Sequence, residues 1–478
     1  MQDMIRESTA ADIDSAVANA AAASAAWAAS DAATRSGFLR KLAEGLEAER
    51  EQLVALANEE TSLGPIRLNG ELDRTAFQLR AFADAVDAGE AFQVIDEPAV
   101  PGAPPAGHPH LLRVNVPLGP VAMFSASNFP FAFSVLGGDT AAALAAGCPV
   151  VIKAHPAHPR LSRAVFAMAS TVADRAGVPD GVIEMVEGAS KEVGIRLVRH
   201  PAIEAVAFTG SLAGGTALQK EINGRDKPIP FYGELGSINP IIALPAALRE
   251  KGPELAKTLA ASIAMGCGQF CTSPGVLIAL EGDATDSFVQ LLAQEMDAQT
   301  PHAMLTPAIR KAFHDGVARL VSHAAAKRLT TGEQSTERHP VPNLVEVDVD
   351  AFIAHPELRH EIFGPSCLVM RAPTIAQAQQ ALLAVGGSLT VTVWGAESGS
   401  DDALAIVRAA VQIAGRVLFN GVPTGVAVTR AQHHGGPWPA STAPQTTSVG
   451  LMAMHRFLRP VALQDPPAWL VERKGVPC

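Results

Sequence analysis

Pro149-Val150-Val151-Ile152-Lys153-Ala154-His155-Pro156-Ala157-His158-Pro159-Arg160 is a short apolar run closed by a lysine and a proline-marked turn. A run of that length bounded by breakers reads as a strand buried on both faces, here 149–153, with a helix to follow over 160–176. The alternation extends outward in both directions. Strands are expected at 121–124, 182–186 and 204–209, and further helices at 131–146 and 190–199. Strands and helices alternating at this spacing predict a parallel sheet with crossover helices, the layout of a dinucleotide-binding unit.

Before this unit, apolar and alanine-rich positions recur at helical spacing over 12–60, and a further helix is expected over 66–88. A Pro/Gly-rich loop from Pro98 to Pro109 leads into Leu112-Arg113-Val114-Asn115-Val116, whose alternation predicts a two-sided strand. After residue 237 a second α/β unit begins, with strands at 240–244, 276–280 and near 367–370, 390–394 and 416–419, and helices at 253–265 and 284–298. Residues 421–450 read as ordered loop, and the polar stretch 323–343 as a surface loop.

A chain of 478 residues exceeds one hydrophobic core and implies roughly two or three units. The net charge of −11, with no long basic cluster, argues against nucleic acid as a partner. No apolar run reaches the roughly 18 residues that span a bilayer, and acidic Asp3, Glu7, Asp12 and Asp14 argue against a targeting peptide. Five scattered cysteines, Cys148, Cys267, Cys271, Cys367 and Cys478, fit a reducing compartment, so a cytoplasmic location is expected.

One of these cysteines stands out. Gly266-Cys267-Gly268-Gln269-Phe270-Cys271-Thr272 places Cys271 in a tight loop, where backbone N–H groups stabilise a thiolate. Glu234 lies 37 residues upstream (271 minus 234), after the apolar stretch Ile229-Pro230-Phe231-Tyr232, so its carboxylate emerges at the mouth of a strand as a candidate base. Cys267 and Cys271 stand four apart, but no second pair with zinc-like spacing exists and C-x-x-x-C is not the C-x-x-C redox motif, which argues against both a metal site and a redox pair; Cys148 and Cys367 read as packing residues.

Other segments are weaker taken singly. Thr209-Gly210-Ser211-Leu212-Ala213-Gly214-Gly215 opens a helix after a strand, where a phosphate can approach free N–H groups; alone it is equally an ordinary turn. It lacks the Lys-Ser/Thr of a Walker A loop and the strict dinucleotide glycine pattern. Lys153 ends its strand facing the ligand crevice, or else snorkels at the surface. His155 and His158 lack partners for a metal site. Asn128 in Asn128-Phe129-Pro130 reads as a helix cap or as an oxyanion donor, Glu361 as a turn residue, and Phe363 as core.

The order of these segments is more specific than any of them. Asn128-Phe129-Pro130, Val151-Ile152-Lys153, Phe208-Thr209-Gly210-Ser211, Glu234-Leu235-Gly236, Gly268-Gln269-Phe270-Cys271-Thr272 and Glu361-Ile362-Phe363-Gly364-Pro365 resemble the aldehyde dehydrogenase superfamily along essentially the whole chain. Glu234-Leu235-Gly236-Ser237-Ile238-Asn239-Pro240, Asn420-Gly421-Val422-Pro423-Thr424-Gly425, Gly435-Gly436-Pro437 and Thr446-Thr447-Ser448-Val449-Gly450 look like its α-ketoglutaric semialdehyde (2,5-dioxopentanoate) dehydrogenase branch and related NADP-dependent fatty aldehyde dehydrogenases.

The resemblance implies an α/β fold with a Rossmann-type NADP-binding domain over 1–107 and 120–236, an α/β catalytic domain over 237–445, and oligomerisation strands at 108–119 and 454–465. It implies Cys271 as nucleophile, Asn128 as oxyanion donor and Glu234 as the base that activates water. Lys153 and Glu361 then bind ribose, Ser211 with its flanking Gly210 and Gly215 lies by the pyrophosphate, and Phe363 packs near the nicotinamide. No metal is required. The superfamily's second glycine after Glu-Leu-Gly is Ser237 here. Where NAD-preferring members carry a glutamate after the strand lysine, this chain has His155-Pro156 with Arg160 nearby, so NADP is favoured and NAD possible. A homodimer or homotetramer is expected. The alternatives are a broad aliphatic aldehyde dehydrogenase, a cysteine hydrolase and a silent binding protein; the hydrolase needs a histidine base, and no histidine sits in a motif that puts one beside Cys271.

Overall fold

In a computed structural model the described residues are 5–473; Asp3 and Cys478 lie outside them. Three sheets organise the chain. The first holds five parallel strands in the order Ile183–Val186, Val150–Lys153, Val121–Phe124, Ala205–Thr209 and Phe231–Glu234. Val150, Val151 and Ile152 are fully buried, as a strand covered on both faces requires. Each such side chain removed from water stabilises the fold by about 1.5–3 kcal/mol. The register aligns Phe124 with Lys153 and Phe208, and Thr209 with Glu234, so the carboxyl ends of these strands share one edge. Strand order reverses on either side of Val121–Phe124, which opens a crevice at that edge.

The second sheet has seven strands, parallel except at one edge, where Ala326–Arg328 runs antiparallel to Asn343–Val347. Ala326–Arg328 falls within the stretch 323–343 expected to be a surface loop, and Asn343–Val347 begins at its end. The third is a three-stranded antiparallel sheet in which Leu111–Pro117 pairs with Ile95–Glu97 and with Leu458–Gln464. Residues 454–457, expected as strand, form the end of a 3-10 helix instead. Arg456 anchors that helix through a buried ion pair with Asp139 at 2.6 Å.

The expected helix over 131–146 begins only at Gly138. The N–H groups of Phe131 and Ala132 donate to Glu71 Oε1 at 2.8 and 3.1 Å, so this segment is held by a side chain of the helix Pro65–Asp87 rather than by its own ladder. Burial pushes the Glu71 carboxyl up to about 7, against the pull of Arg67 and these two N–H donors.

Candidate functional site

The loop carrying Cys271 follows the helix Pro245–Ala264 through a reversal in which Gly266, Cys267 and Gly268 all adopt positive φ, 55°, 59° and 63°. Glycine is needed at 268, where a Cβ would lie 2.3 Å from the Gly364 carbonyl carbon. Asn239 braces the far side of the loop: its amide donates to the carbonyls of Cys271 and Ser273 at 2.8 and 3.0 Å. Ser237 has its own use. Its hydroxyl donates to Asn239 Oδ1 and accepts from Leu389 N–H, both at 2.8 Å, tying the Glu234 segment to the second sheet.

Cys271 is half-buried and lines a cleft of about 680 Å³ together with Asn128 and Glu234. Burial and the Glu234 charge push its thiol well above its ordinary range. Burial works against the Glu234 charge too, but His434 and hydrogen bonds from His434, Ser448 and Cys271 outweigh it and hold the carboxyl below its usual value. Asn128 spends one amide N–H on the Gln269 carbonyl at 3.0 Å, and the other has no partner among the described residues.

His434 is the residue missed from sequence. Its Nε2 lies 3.6 Å from Cys271 Sγ and 3.1 Å from Glu234 Oε1, and the ring is wholly buried. The expectation that no histidine approaches the thiol is therefore corrected. His434 comes from an irregular loop, where periodicity carries no signal; its only mark is that it precedes Gly435-Gly436-Pro437. Thr447 Oγ1 accepts its backbone N–H at 2.8 Å, and Ser448 bonds both the His434 carbonyl and Glu234 Oε2.

The rest of the cleft is lined by Thr209, Gly210, Ser211, His155, Glu361 and Phe363, among others. Ser211 caps the helix Leu212–Asn223 by accepting from Gly214 N–H, so the open end of that helix faces the cleft. Gly215 lies inside this helix, where a Cβ would strike Leu235 at 2.1 Å. Glu361 is raised to about 7 by burial. A deep, largely apolar cleft with a helix N-terminus at one wall and a buried carboxyl at another fits a nicotinamide dinucleotide.

Three predicted contacts, Gly215, Lys153 and Arg160, sit outside this lining. Lys153 Nζ donates to the Ala154 and Gly188 carbonyls, and burial lowers it to about 8 while Glu7 and Glu187 oppose that fall. Arg160 pairs with Glu59 at 2.9 Å.

Three arginines surround the reactive centre from elsewhere. Arg67 donates to the Asn128 carbonyl at 2.5 Å and lies over the rings of Phe129 and Phe270 at 5.2 and 4.7 Å. Arg74 donates to the Val426 carbonyl, and Arg416 to Gly425 and Pro423 at 3.0 and 2.8 Å. Both act electrostatically on Cys271. Arg67 Nη1 and Arg416 Nε are buried without a hydrogen-bond partner among the described residues.

A dinucleotide-type cleft with a thiol, a carboxylate and an amide at its floor defines an enzyme that oxidises a carbonyl through a covalent sulfur adduct. The chain belongs to the aldehyde dehydrogenase family, whose model matches residues 2–454, and such enzymes are NAD(P)-dependent oxidoreductases acting on aldehydes. It is 41% identical to α-ketoglutaric semialdehyde dehydrogenase 2 of Azospirillum brasilense, over 96% of this chain and 87% of that protein. It is 40% identical to α-ketoglutaric semialdehyde dehydrogenase of Acinetobacter baylyi, over 90% and 82%. Among solved structures, aldehyde dehydrogenase 21 of Physcomitrella patens shares the fold with a TM-score of 0.80 at 21% identity, over 97% of this chain and 92% of that one. Among the described residues no helix is long and apolar enough to cross a membrane, and Cys148, Cys267, Cys271 and Cys367 are all free thiols.

Proposed function

We propose that this enzyme oxidises α-ketoglutaric semialdehyde (2,5-dioxopentanoate) to 2-oxoglutarate, with NADP as the preferred cofactor. The observation that carries the chemistry is the convergence of Cys271 Sγ with the His434 and Glu234 side chains on a cleft that Asn128 also lines. Cys271 gives its proton to the His434–Glu234 pair and its sulfur attacks the aldehyde carbon. The free Asn128 N–H and the Cys271 backbone N–H receive the oxyanion. When bound, the cofactor supplies a hydride acceptor that turns the adduct into a thioester. Glu234, hydrogen-bonded to His434 and Ser448, then takes a proton from the water that releases the carboxylate.

The keto-acid substrate is supported by the two relatives named above, by Arg74 and Arg416, which act on Cys271, and by Arg67 at the Asn128 carbonyl, with one carboxyl, Glu71, acting on Arg67 and Arg74. An anionic tail needs cationic donors, and Arg67 Nη1 and Arg416 Nε have no hydrogen-bond partner among the described residues. NADP is supported by the cleft lining, whose only carboxylates are Glu234 and Glu361; none belongs to the 155–157 segment that would otherwise repel a 2′-phosphate. Lys153 and His155 are assigned to the cofactor side, and Arg160 is available to a phosphate only if it leaves Glu59.

The exposed edge of Leu458–Gln464 supports a homodimer or homotetramer formed by sheet extension. The test of the reading is reduced-nicotinamide absorbance with a panel of aldehydes and both cofactors. Preferred turnover of the keto-acid semialdehyde with NADP is expected; equal or better use of a long aliphatic aldehyde overturns the substrate.

A further inference from the structure

Cys271 Sγ, His434 Nε2 and Glu234 Oε1 come from three distant segments, and their ligand atoms all lie within 4.8 Å of one another. The sulfur–nitrogen separation is 3.6 Å and the nitrogen–oxygen separation 3.1 Å. Tetrahedral zinc holds sulfur at about 2.3 Å and nitrogen or oxygen at about 2.0–2.2 Å, which spaces such ligand atoms from each other by roughly 3.3–3.6 Å. The sulfur–nitrogen and nitrogen–oxygen separations therefore already lie near those of a zinc site, and the sulfur–oxygen pair lies within 4.8 Å.

We propose that Cys271, His434 and Glu234 form a site for a thiophilic divalent cation, best matched by zinc, which occupies the reactive centre in place of the aldehyde and holds the enzyme in a reversibly blocked state. The charges match. One thiolate and one carboxylate, beside a neutral imidazole, offset the charge of a dication, so the loaded site is neutral where a net charge would be costly to bury. On binding, the S–H bond breaks and the S–Zn bond forms, and the thiol proton passes to solvent. The imidazole uses its Nε2 lone pair and carries its proton on Nδ1. No oxidation occurs, so removal of the ion restores the thiol.

The surroundings orient the donors. Ser448 occupies Glu234 Oε2, Glu234 Oε1 faces His434 Nε2, and Thr447 fixes the His434 backbone. Ser448 on Glu234 is an outer partner of the kind that strengthens metal sites by restricting a ligand, whereas His434 Nδ1 is buried with no hydrogen-bond partner among the described residues. The fourth corner opens on the cleft that Cys271 and Glu234 line, where water completes the coordination. A second cluster, His323, His355 and Glu357, has a 4.0 Å and a 3.1 Å contact to Glu357 but is more exposed and has no sulfur.

The test uses the full-length, chelator-treated protein without substrate or cofactor, in a His355→Ala background that removes the surface cluster. Zinc is titrated by calorimetry in buffers of different ionisation enthalpy, and cobalt by absorbance. The expected result is about one tight equivalent with about one proton released, a sulfur-to-cobalt charge-transfer band, and protection of Cys271 from alkylation that a chelator reverses. Cys271→Ser should lose the band and the tight equivalent, and His434→Asn should weaken binding by about tenfold or more while circular dichroism stays unchanged. Tight binding that survives Cys271→Ser, or folded protein that binds no zinc tightly in the His355→Ala background, overturns the proposal. Neither outcome bears on aldehyde oxidation, which is assayed separately.

Discussion

His434 Nε2 stands 3.6 Å from Cys271 Sγ, although 163 residues separate them, and the same nitrogen lies 3.1 Å from Glu234 Oε1. A thiol whose proton is held tightly by burial and a neighbouring carboxylate needs an acceptor at hydrogen-bond distance, and this ring supplies one. Replacing His434 by Asn should lower kcat by about a hundredfold and slow alkylation of Cys271 by iodoacetamide at neutral pH. Unchanged alkylation and turnover would reduce His434 to packing.

Glu234 acts on the thiol in the opposite sense. Its charge helps keep Cys271 protonated, so Glu234→Gln should speed alkylation at neutral pH by about tenfold while thioester hydrolysis and turnover fall. Burst kinetics with the keto-acid semialdehyde separate the two effects: a burst followed by a slow steady state is expected.

Cys271→Ala should abolish production of reduced cofactor and leave dinucleotide binding within about twofold, because the proposed role puts the sulfur on the reacting carbon and not on the phosphates. Cofactor fluorescence titration measures the second quantity, and retained turnover refutes the nucleophile.

Arg416→Met should raise KM for the keto-acid semialdehyde by about tenfold or more and leave a short aliphatic aldehyde little changed. Because Arg416 also holds the Pro423 and Gly425 carbonyls, thermal unfolding of the variant is the control. Equal losses on both substrates would assign Arg416 to loop support alone.

Glu71 carries a pH dependence of stability. The folded chain keeps this proton up to about pH 7, whereas the unfolded chain releases it near 4.5. Between those values the folded state binds more protons, so stability falls as pH rises, by an amount on the order of 3 kcal/mol once pH 7 is passed. Glu71→Gln keeps the acceptor for Phe131 and Ala132 N–H and should remove this slope. Denaturant unfolding of both proteins at pH 5 and pH 8 measures it.

The amino-acid sequence by itself determined the alternating strands of the first sheet, the glycine-bounded loop of Cys271 and the strand-end position of Glu234, because each is written in neighbouring residues through burial periodicity and turn chemistry. Helix 131–146 was overstated because the N–H groups of its first turns are taken by Glu71, some sixty residues away. His434 lies in a loop without periodicity, and Arg67 and Arg74 sit within the helix Pro65–Asp87, so nothing local marks any of them. Arg160 follows the strand lysine closely, yet its pairing with Glu59 was decided by how two helices pack. Only the tertiary structure brings side chains from separate segments to one point, since the hydrogen bonds and charges that join them act through space and leave no trace in the spacing of residues along the chain.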